Sequence, residues 1–174
     1  MHSNPFTDDE LSRRVAATRE EMATCSLDLI LLSAPEHVFY LTGLDHWGYF
    51  APHMLIVPAD GDLVLVTRAM EHVVIRHQVR NATFIGHTDS ETAAELVIKH
   101  LKGNTSGKTI GLEAGAAGLS YAMGEVLKRE IDAGSWVDIT GMLDEVRYAG
   151  VARSATWAKL CYENQRPLQT LVGP

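Results

Sequence analysis

The chain has 174 residues, of which 46% are apolar and 21% charged, a balance typical of one globular domain with a proper core. A formal charge of −7 argues against a nucleic-acid partner, because phosphate binding requires a basic surface. No apolar run approaches the ~18 residues of a membrane span, and the first residues lack the apolar segment of a secretory signal. Cys25 and Cys161 match no zinc or redox spacing, so we expect a soluble, reduced, cytoplasmic protein.

The first predicted element is a helix that begins after Thr7. Thr7 and Glu10 occupy the two positions of a capping box, and the acidic residues between them suit the positive end of the helix dipole. We expect the helix to end near residues 24–26. Four residues at helical spacing predict one face: Leu11, Val15, Thr18 and Met22.

The next part of the chain predicts three strands with buried side chains. A short helix is expected over 36–41, between the first and second strands. The Asp-Gly pair within 59–62 is typical of a hairpin turn, so the second and third strands should be antiparallel neighbours. The predicted strands cover 27–33, 54–57 and 63–66.

Helices and strands then alternate to the end of the predicted domain. Met70, Val73, Val74 and His77 share one face of a helix predicted over 69–79, and Ser90 is predicted to cap the next helix. The later helices carry two further stripes, Ala94, Val97, Ile98 and Leu101, and then Leu119, Met123, Val126 and Leu127. The remaining strands are predicted over 82–86, 108–114 and 135–140, with a last helix over 141–148.

This alternation, interrupted by one hairpin, predicts the α/β class. The expected architecture is a mixed sheet of about six strands with helices on both faces. The composition changes after residue 149, where no clean helical or strand period continues. We therefore predict a domain over 1–149 and a loosely ordered tail, or the start of a linker, over 150–174.

Three glycines lie within and just after a predicted strand that leads into a predicted helix. Gly111, Gly115 and Gly118 do not have the spacing of a dinucleotide or P-loop motif, and no P-loop lysine accompanies them. A nucleotide-binding domain is therefore the weaker interpretation, and a glycine-permitted loop is favoured. Glu113, at the end of the strand, either faces a ligand or caps a turn.

Metal and nucleophile signals are poor. His72 and His77 are five residues apart, whereas two ligands on one helix face are usually four apart. His87, Asp89 and Glu91 could contact a cation, but residues 88–90 are more simply explained as helix-capping residues. No G-x-S-x-G motif is present, and Cys25 has no neighbouring base in sequence, so a buried thiol is favoured over a catalytic one.

A loop over 44–53 is rich in aromatic and histidine side chains. Such side chains either fold back onto their own domain or contact a partner, because an isolated surface would leave their apolar area exposed to water. The physical chemistry alone leaves these two alternatives open. The candidate residues are Asp45, His46, Trp47, Tyr49 and His53.

Several stretches in order resemble one known family. The similarity covers about residues 6–148 and is to the N-terminal domain of creatinases and prolidases. The family has the pattern P-E-[NH]-[VI]-x-Y-[LY]-[TS]-G, then LV-x-R-x-x-E and a later IG-[LV]-E. The matching stretches here are SAPEHVFYLTG, DLVLVTRAMEH, TIGLEAGAAGLSYAM and WVDITGMLDEVR.

The resemblance implies a ribonuclease-H-like mixed sheet that precedes a pita-bread catalytic domain. In Xaa-Pro dipeptidases and aminopeptidases P, that second domain binds two divalent metals, usually Mn, Co or Zn. The N-terminal domain mediates dimerisation, and its loop reaches toward the neighbour's pocket. The resemblance therefore implies that Asp45, His46, Trp47, Tyr49 and His53 form a substrate-pocket loop for a partner subunit.

The resemblance ends near Arg147. The Lys-Ser-x-x-Glu element and the metal ligands that follow in the family do not follow here, so we expect no metal site and no activity in this chain alone. Ala51 stands where creatinases place an arginine, which favours a prolidase-like parent. The alternative is a standalone binding or oligomerisation module whose tail docks through Trp157 and Tyr162.

Overall fold

The computed structural model describes residues 3–45 and 52–141. Within these two ranges, six strands form one sheet, five helices flank it, and a 3₁₀ turn at Ala69–Glu71 precedes the third helix. None of the helices in these two ranges is long and apolar enough to cross a bilayer. The helices are α1 (Asp8–Thr24), α2 (Pro35–Thr42), α3 (His72–Gln78), α4 (Ala93–Leu101) and α5 (Tyr121–Glu130). The strands are β1 (Leu29–Leu32), β2 (Met54–Pro58), β3 (Leu63–Arg68), β4 (Ala82–His87), β5 (Thr109–Leu112) and β6 (Ser135–Asp138).

The strands lie in the order β4-β3-β2-β1-β5-β6. β2 is antiparallel to β1 and β3, and every other neighbouring pair is parallel. The predicted Asp-Gly hairpin joins β2 and β3, and Gly61 takes a φ of +97° that favours glycine. The predicted α/β class, with a mixed sheet and helices on both faces, is confirmed.

Alternate side chains of the central strands enter two separate cores. Leu29 and Leu31 of β1 pack with α4 and α5, whereas Ile30 and Leu32 pack with α1, α2 and α3. The same alternation continues through β2 and β3, and both faces of these three strands are buried. Because neither face of these strands is exposed to solvent, their sequences are continuous apolar runs.

The N-cap and the buried face predicted for the first helix are confirmed, whereas the Glu10 carboxylate, predicted at the capping-box position, pairs with Arg14 at 2.9 Å. The Thr7 side chain accepts a hydrogen bond from the Glu10 N–H at 3.2 Å, and Thr7 is the N-cap of α1. The four residues predicted to share a face are the four buried residues of the helix: Leu11, Val15, Thr18 and Met22.

The apolar face predicted for the segment over 69–79 is not the buried face. Met70 is 69% exposed and Val73 is 43% exposed, while Glu71, Ile75 and Gln78 are buried. The buried positions have the i, i+4, i+7 spacing of a helix, but two of them are polar. Their hydrogen bonds, described below, allow these polar side chains to be buried in place of the apolar ones.

Two helix starts also differ from prediction. α4 is capped by Thr92, which forms a capping box with Glu95, so Ser90 lies upstream of the cap. Ser120 caps α5, which places Leu119 before the helix. The helix predicted over 141–148 and the tail over 150–174 extend beyond the described residues, and the domain boundary stays a prediction.

The chain between β5 and α5 passes very close to the end of β1. A Cβ atom added at Gly118 would lie 2.4 Å from the carbonyl oxygen of Ser33. Backbone cannot move away as a flexible side chain can, so this position requires glycine. By contrast, a Cβ at Gly124, inside α5, would meet its nearest atoms at 3.7 and 3.9 Å, which is ordinary contact.

We therefore expect Gly118→Ala to lower the free energy of unfolding by about 2 kcal/mol, because the added methyl overpacks against backbone. The matched control is Gly124→Ala, which should raise that free energy by about 0.5 kcal/mol through helix propensity. Urea denaturation followed by circular dichroism measures both. Equal stability of the two variants would contradict the close approach at Gly118.

Candidate functional site

Polar side chains lie at the carboxyl ends of the parallel strands. This boundary of the sheet, which runs across the strand ends and not along an outer strand, is called the polar edge below. β1, β3 and β5 leave the sheet at this edge, and β2, which runs in the opposite direction, enters it there. Ser33, Thr67 and Glu113 therefore lie at this edge together with His53, which precedes β2. All four are buried. The aromatic loop predicted as a pocket element lies between α2 and β2 in the sequence, and its last residue, His53, is at this edge.

The first stem of this loop, residues 43–45, is held by the backbone conformation of Gly43 and by Asn4 near the start of the chain. Gly43 ends α2 with a φ of +73°, and a Cβ at this position would overlap the Asn4 side chain. Asn4 Nδ2 donates to the carbonyl oxygens of Thr42 at 2.8 Å and of Gln78 at 2.6 Å. The end of α2 is thereby tied to the end of α3.

The same stem continues to Asp45, whose backbone N–H donates to Gln78 Oε1 at 2.9 Å. Gln78 is buried, whereas Asp45 is exposed. The last described residue before the loop is therefore held by the carboxyl end of α3, and its carboxylate lies at the surface.

The second stem is held by a buried carboxylate. His53 Nε2 lies 2.8 Å from Glu71 Oε2, and the Thr67 hydroxyl donates to the same oxygen at 2.9 Å. His53 is 1% exposed and Thr67 is fully buried, so the cluster of Glu71, His53 and Thr67 is shielded from water. Both stems of the loop thus end on one short segment, 71–78.

The five predicted site residues are only partly placed by these contacts. Asp45 and His53 stand at the two stems, while His46, Trp47 and Tyr49 lie outside the described residues, as does Ala51. The observed bonding of His53 is to its own domain. Its contact with a partner's pocket, like that of the other four residues, stays a prediction.

Sequence reasoning assigned no role to Asn4, Glu71 or Gln78, which carry the stems. Glu71 was nevertheless visible, because it is the final residue of the LV-x-R-x-x-E stretch quoted above. Asn4 and Gln78 gave no such signal, because their partners are distant in the sequence. The two partners of Asn4 lie 38 and 74 residues away, and the partner of the Gln78 side chain lies 33 residues away.

Glu113 caps a helix that lies far away in the sequence. Its Oε2 accepts the backbone N–H groups of Ser33 at 3.0 Å and Ala34 at 2.9 Å, at the amino end of α2. Its Oε1 lies 2.6 Å from His37 Nδ1. Of the two roles considered for Glu113, the structure favours capping, although the capped helix is α2 and not the turn that follows β5.

The electrostatics of Glu113 agree with this role. Burial raises the pKa of the Glu113 carboxyl, but hydrogen bonds from His37, Ala34 and Ser33 outweigh burial and hold that pKa below its usual value. The anionic carboxylate therefore occupies the helix terminus where a phosphate would otherwise be attracted.

The histidine and carboxylate groups considered as metal ligands are engaged in other contacts. His87 Nδ1 lies 2.9 Å from the Thr88 carbonyl oxygen, Asp89 pairs with Arg68 at 2.6 Å, and Glu91 accepts from Thr88. Across residues 3–45 and 52–141, no group of three or more His, Cys, Asp or Glu side chains could hold a metal ion. These residues therefore do not fit a divalent metal pair.

Comparison with known proteins assigns the described region to one kind of domain. Residues 14–149 match the sequence model of the Creatinase/Prolidase N-terminal domain. The fold matches a Creatine_N superfamily domain of a dipeptidase from Streptococcus thermophilus, with a TM-score of 0.65 and 20% identity over 77% of this chain and 98% of that one. It also matches a prolidase from Thermococcus sibiricus, with a TM-score of 0.66 and 18% identity over 79% of this chain and 36% of the prolidase.

Two curated relatives are hydrolases by name. The ectoine hydrolase of Halomonas elongata is 32% identical over 69 residues, or 40% of this chain and 17% of that protein. The hydrolase/peptidase y4tM of Sinorhizobium fredii, itself described as uncharacterized, is 25% identical over 121 residues, or 64% of this chain and 31% of the relative. The chain thus spans less than a third of either relative.

The Glu113 cap gives a pH-dependent stability. Because its pKa is lowered in the folded state, the carboxylate stabilises the fold above the unfolded pKa of ~4.3, and this stability is lost as the pH falls through the folded pKa. We expect Glu113→Gln to lower the free energy of unfolding by about 2 kcal/mol at pH 7, and the difference from wild type to shrink below pH ~4.3.

Urea denaturation at a series of pH values between 7 and 3.5 tests this expectation. The control is Glu130→Gln at an exposed position on α5, which should change the free energy of unfolding by less than about 0.5 kcal/mol. A wild-type minus Glu113→Gln difference that stays constant across the pH series would show that the carboxylate charge is not what stabilises α2.

The Glu71 cluster predicts a second stability effect. Glu71→Ala leaves the buried His53 ring and Thr67 hydroxyl without their shared acceptor, so we expect the free energy of unfolding to fall by about 3 kcal/mol. Glu71→Gln, which keeps one acceptor oxygen, should lose less. Exposed Glu20→Ala is the matched control, and a Glu71→Ala variant as stable as this control would refute the anchoring role.

Proposed function

Because this chain belongs to the creatinase/prolidase N-terminal domain family, we propose that it acts as the non-catalytic amino-terminal domain of an Xaa-Pro dipeptidase-like metallopeptidase. In this role it contributes to oligomerisation and supplies the loop between α2 and β2 to the pocket of a partner catalytic domain. The hydrolase and dipeptidase relatives support a hydrolytic parent enzyme.

One observation supports the pocket role above the others. The two residues that flank the loop, Asp45 and His53, are bonded to Gln78 and Glu71 of one segment, and three of these four side chains are buried. Stems fixed in this way reduce the number of conformations that the loop loses when it binds. A loop that only connects two elements does not need two buried anchors.

The proposed roles within the loop follow from side-chain chemistry. His46 hydrogen-bonds a substrate carboxylate, and Trp47 packs against a proline ring, with Tyr49 beside them. Asp45 is exposed at the first stem, where its carboxylate is accessible to a partner. His53 is the exception, because its burial supports an internal role that orients the second stem.

The chemistry of hydrolysis belongs, in this proposal, to the partner catalytic domain. A pair of divalent metals, Mn, Co or Zn, would supply an activated water and polarise the scissile carbonyl there. The described residues of this chain contribute orientation and exclusion of water, not metal ligands. We also propose a cytoplasmic location, which fits the free thiol of Cys25.

The test uses this domain joined to the catalytic domain of a prolidase-like relative. We expect His46→Ala and Trp47→Ala each to lower kcat/KM for an Xaa-Pro dipeptide by about tenfold, which corresponds to roughly 1.4 kcal/mol of transition-state stabilisation. His100→Ala is the matched control, because His100 is exposed on α4, on the opposite face of the sheet from α3.

The outcomes distinguish the proposal from its alternative. Losses confined to the loop variants support a pocket loop. Kinetic parameters that are the same for His46→Ala, Trp47→Ala and His100→Ala would remove the loop from the pocket. If the same variants also left assembly intact, the standalone binding or oligomerisation module would become the better description.

A further inference from the structure

The strand β4 forms an edge of the sheet that lacks the usual protection. It is six residues long, contains no proline, lysine, arginine or acidic residue, and pairs with β3 on one side. No strand pairs with its other side within the described part of the chain. Proteins normally protect such an edge with short length, charge, proline or a bulge, since its free N–H and C=O groups recruit another strand. The opposite edge, β6, is shorter and ends at Asp138.

The surroundings of β4 are also apolar. Phe84 and Ile85 are half-buried, one on each face of the strand, and Thr83 is exposed. The 3₁₀ turn before α3 packs on this strand so closely that a Cβ at Gly86 would lie 2.7 Å from the Ala69 Cα. Two of the few large apolar side chains exposed in the described residues lie here, Met70 in that turn and Val73 in α3.

Charges at the two ends of β4 have opposite signs. Arg80 precedes the strand, and Asp89 and Glu91 follow it. All are at the surface, where Arg80 contacts Asp8 and Asp89 contacts Arg68. If two copies of β4 run antiparallel, each Arg80 lies near the acidic residues of the other copy. If they run parallel, like charges are brought together.

We infer that β4 pairs with β4 of a second copy of this chain in antiparallel orientation, so that one sheet continues through both copies. The strand is self-complementary in charge, which is what a two-fold symmetric interface requires. Opposed residues must share a face of the sheet, so the symmetry axis passes between one residue and its own copy, either Phe84 or Ile85. This inference rests on the proposed role in oligomerisation and names the surface that performs it.

The α3 helices of the two copies then lie on the same face of the shared sheet. The exposed Met70 and Val73 side chains belong to the turn and the helix on this face, and burial of their apolar area between the two copies favours association. The inference therefore also explains why the apolar face of this segment points away from its own core.

The first experiment places a charge on the strand edge of the full chain. Sedimentation velocity should show a dimer for the wild type, and Thr83→Lys should raise the dimer dissociation constant at least tenfold. Thr83 is exposed, so the substitution spares the core, and far-ultraviolet circular dichroism checks the fold. Ser135→Lys, on the exposed start of the opposite edge strand, is the matched control and should leave the dissociation constant unchanged.

The second experiment tests orientation by charge reversal. Arg80→Glu and Asp89→Arg should each weaken the dimer, and the double variant should restore the dissociation constant to within about threefold of wild type because opposite charges face each other again. Failure of the double variant to recover would overturn the antiparallel orientation.

The outcomes separate this inference from the function on which it rests. A wild-type monomer at all concentrations would overturn both the β4 interface and oligomerisation by this chain. A dimer insensitive to Thr83→Lys and to the charge reversals would overturn the β4 interface alone. A monomer that dimerises after removal of residues 142–174 would show that the tail, not a second copy, occupies the edge.

Discussion

Burial of β1, β2 and β3 on both faces is the constraint from which the rest of the structure follows. A polar side chain buried on either face would need a hydrogen-bond partner there, because burial without one costs free energy. The polar groups are therefore displaced to the ends of the strands. Ser33, His53, Thr67 and Glu113 all lie there. Glu113 caps α2, and His53 and Thr67 bond Glu71 at the second stem of the loop.

The reversed direction of β2 determines what these polar groups can do. Since β2 enters the sheet where its neighbours leave, the loop before it ends at the polar edge, while its start is held by Gln78 at the carboxyl end of α3. Glu71 and Gln78 fix its two stems, and Glu113 fixes α2, the helix from which the loop departs. The family to which the chain belongs and the position of this loop lead to the same proposal, that the domain assists a catalytic site in another domain.

Local signals in the sequence were sufficient for most of the fold. The apolar runs of the central strands, the Asp-Gly hairpin and the Thr7 cap each involve neighbouring residues, and each was predicted correctly. The start of α4 also has a local signal, because Thr92 and Glu95 have the spacing of a capping box, whereas the predicted cap is Ser90. That error reflects two competing hydroxyl residues and not a long-range effect.

The parts that could not be predicted depend on contacts between distant residues. The buried face of α3 is set by Glu71 and Gln78, whose partners come from β3, from the residue before β2 and from the start of the chain. Glu113 caps a helix about eighty positions upstream. A pattern of apolar spacing contains no information about such partners, so it assigned Met70 and Val73 to the predicted stripe and left the loop anchors unnamed.

The double anchoring of the loop on 71–78 has an evolutionary consequence. The span between Asp45 and His53 is closed at its base by hydrogen bonds that do not involve its interior, so insertions or exchanges there leave the register of β1, β2 and β3 intact. The sequence of this loop can therefore diverge while the sheet stays the same. One ancestral scaffold can thus have given rise to descendants with different recognition properties, and a designer can graft a new peptide at the same place.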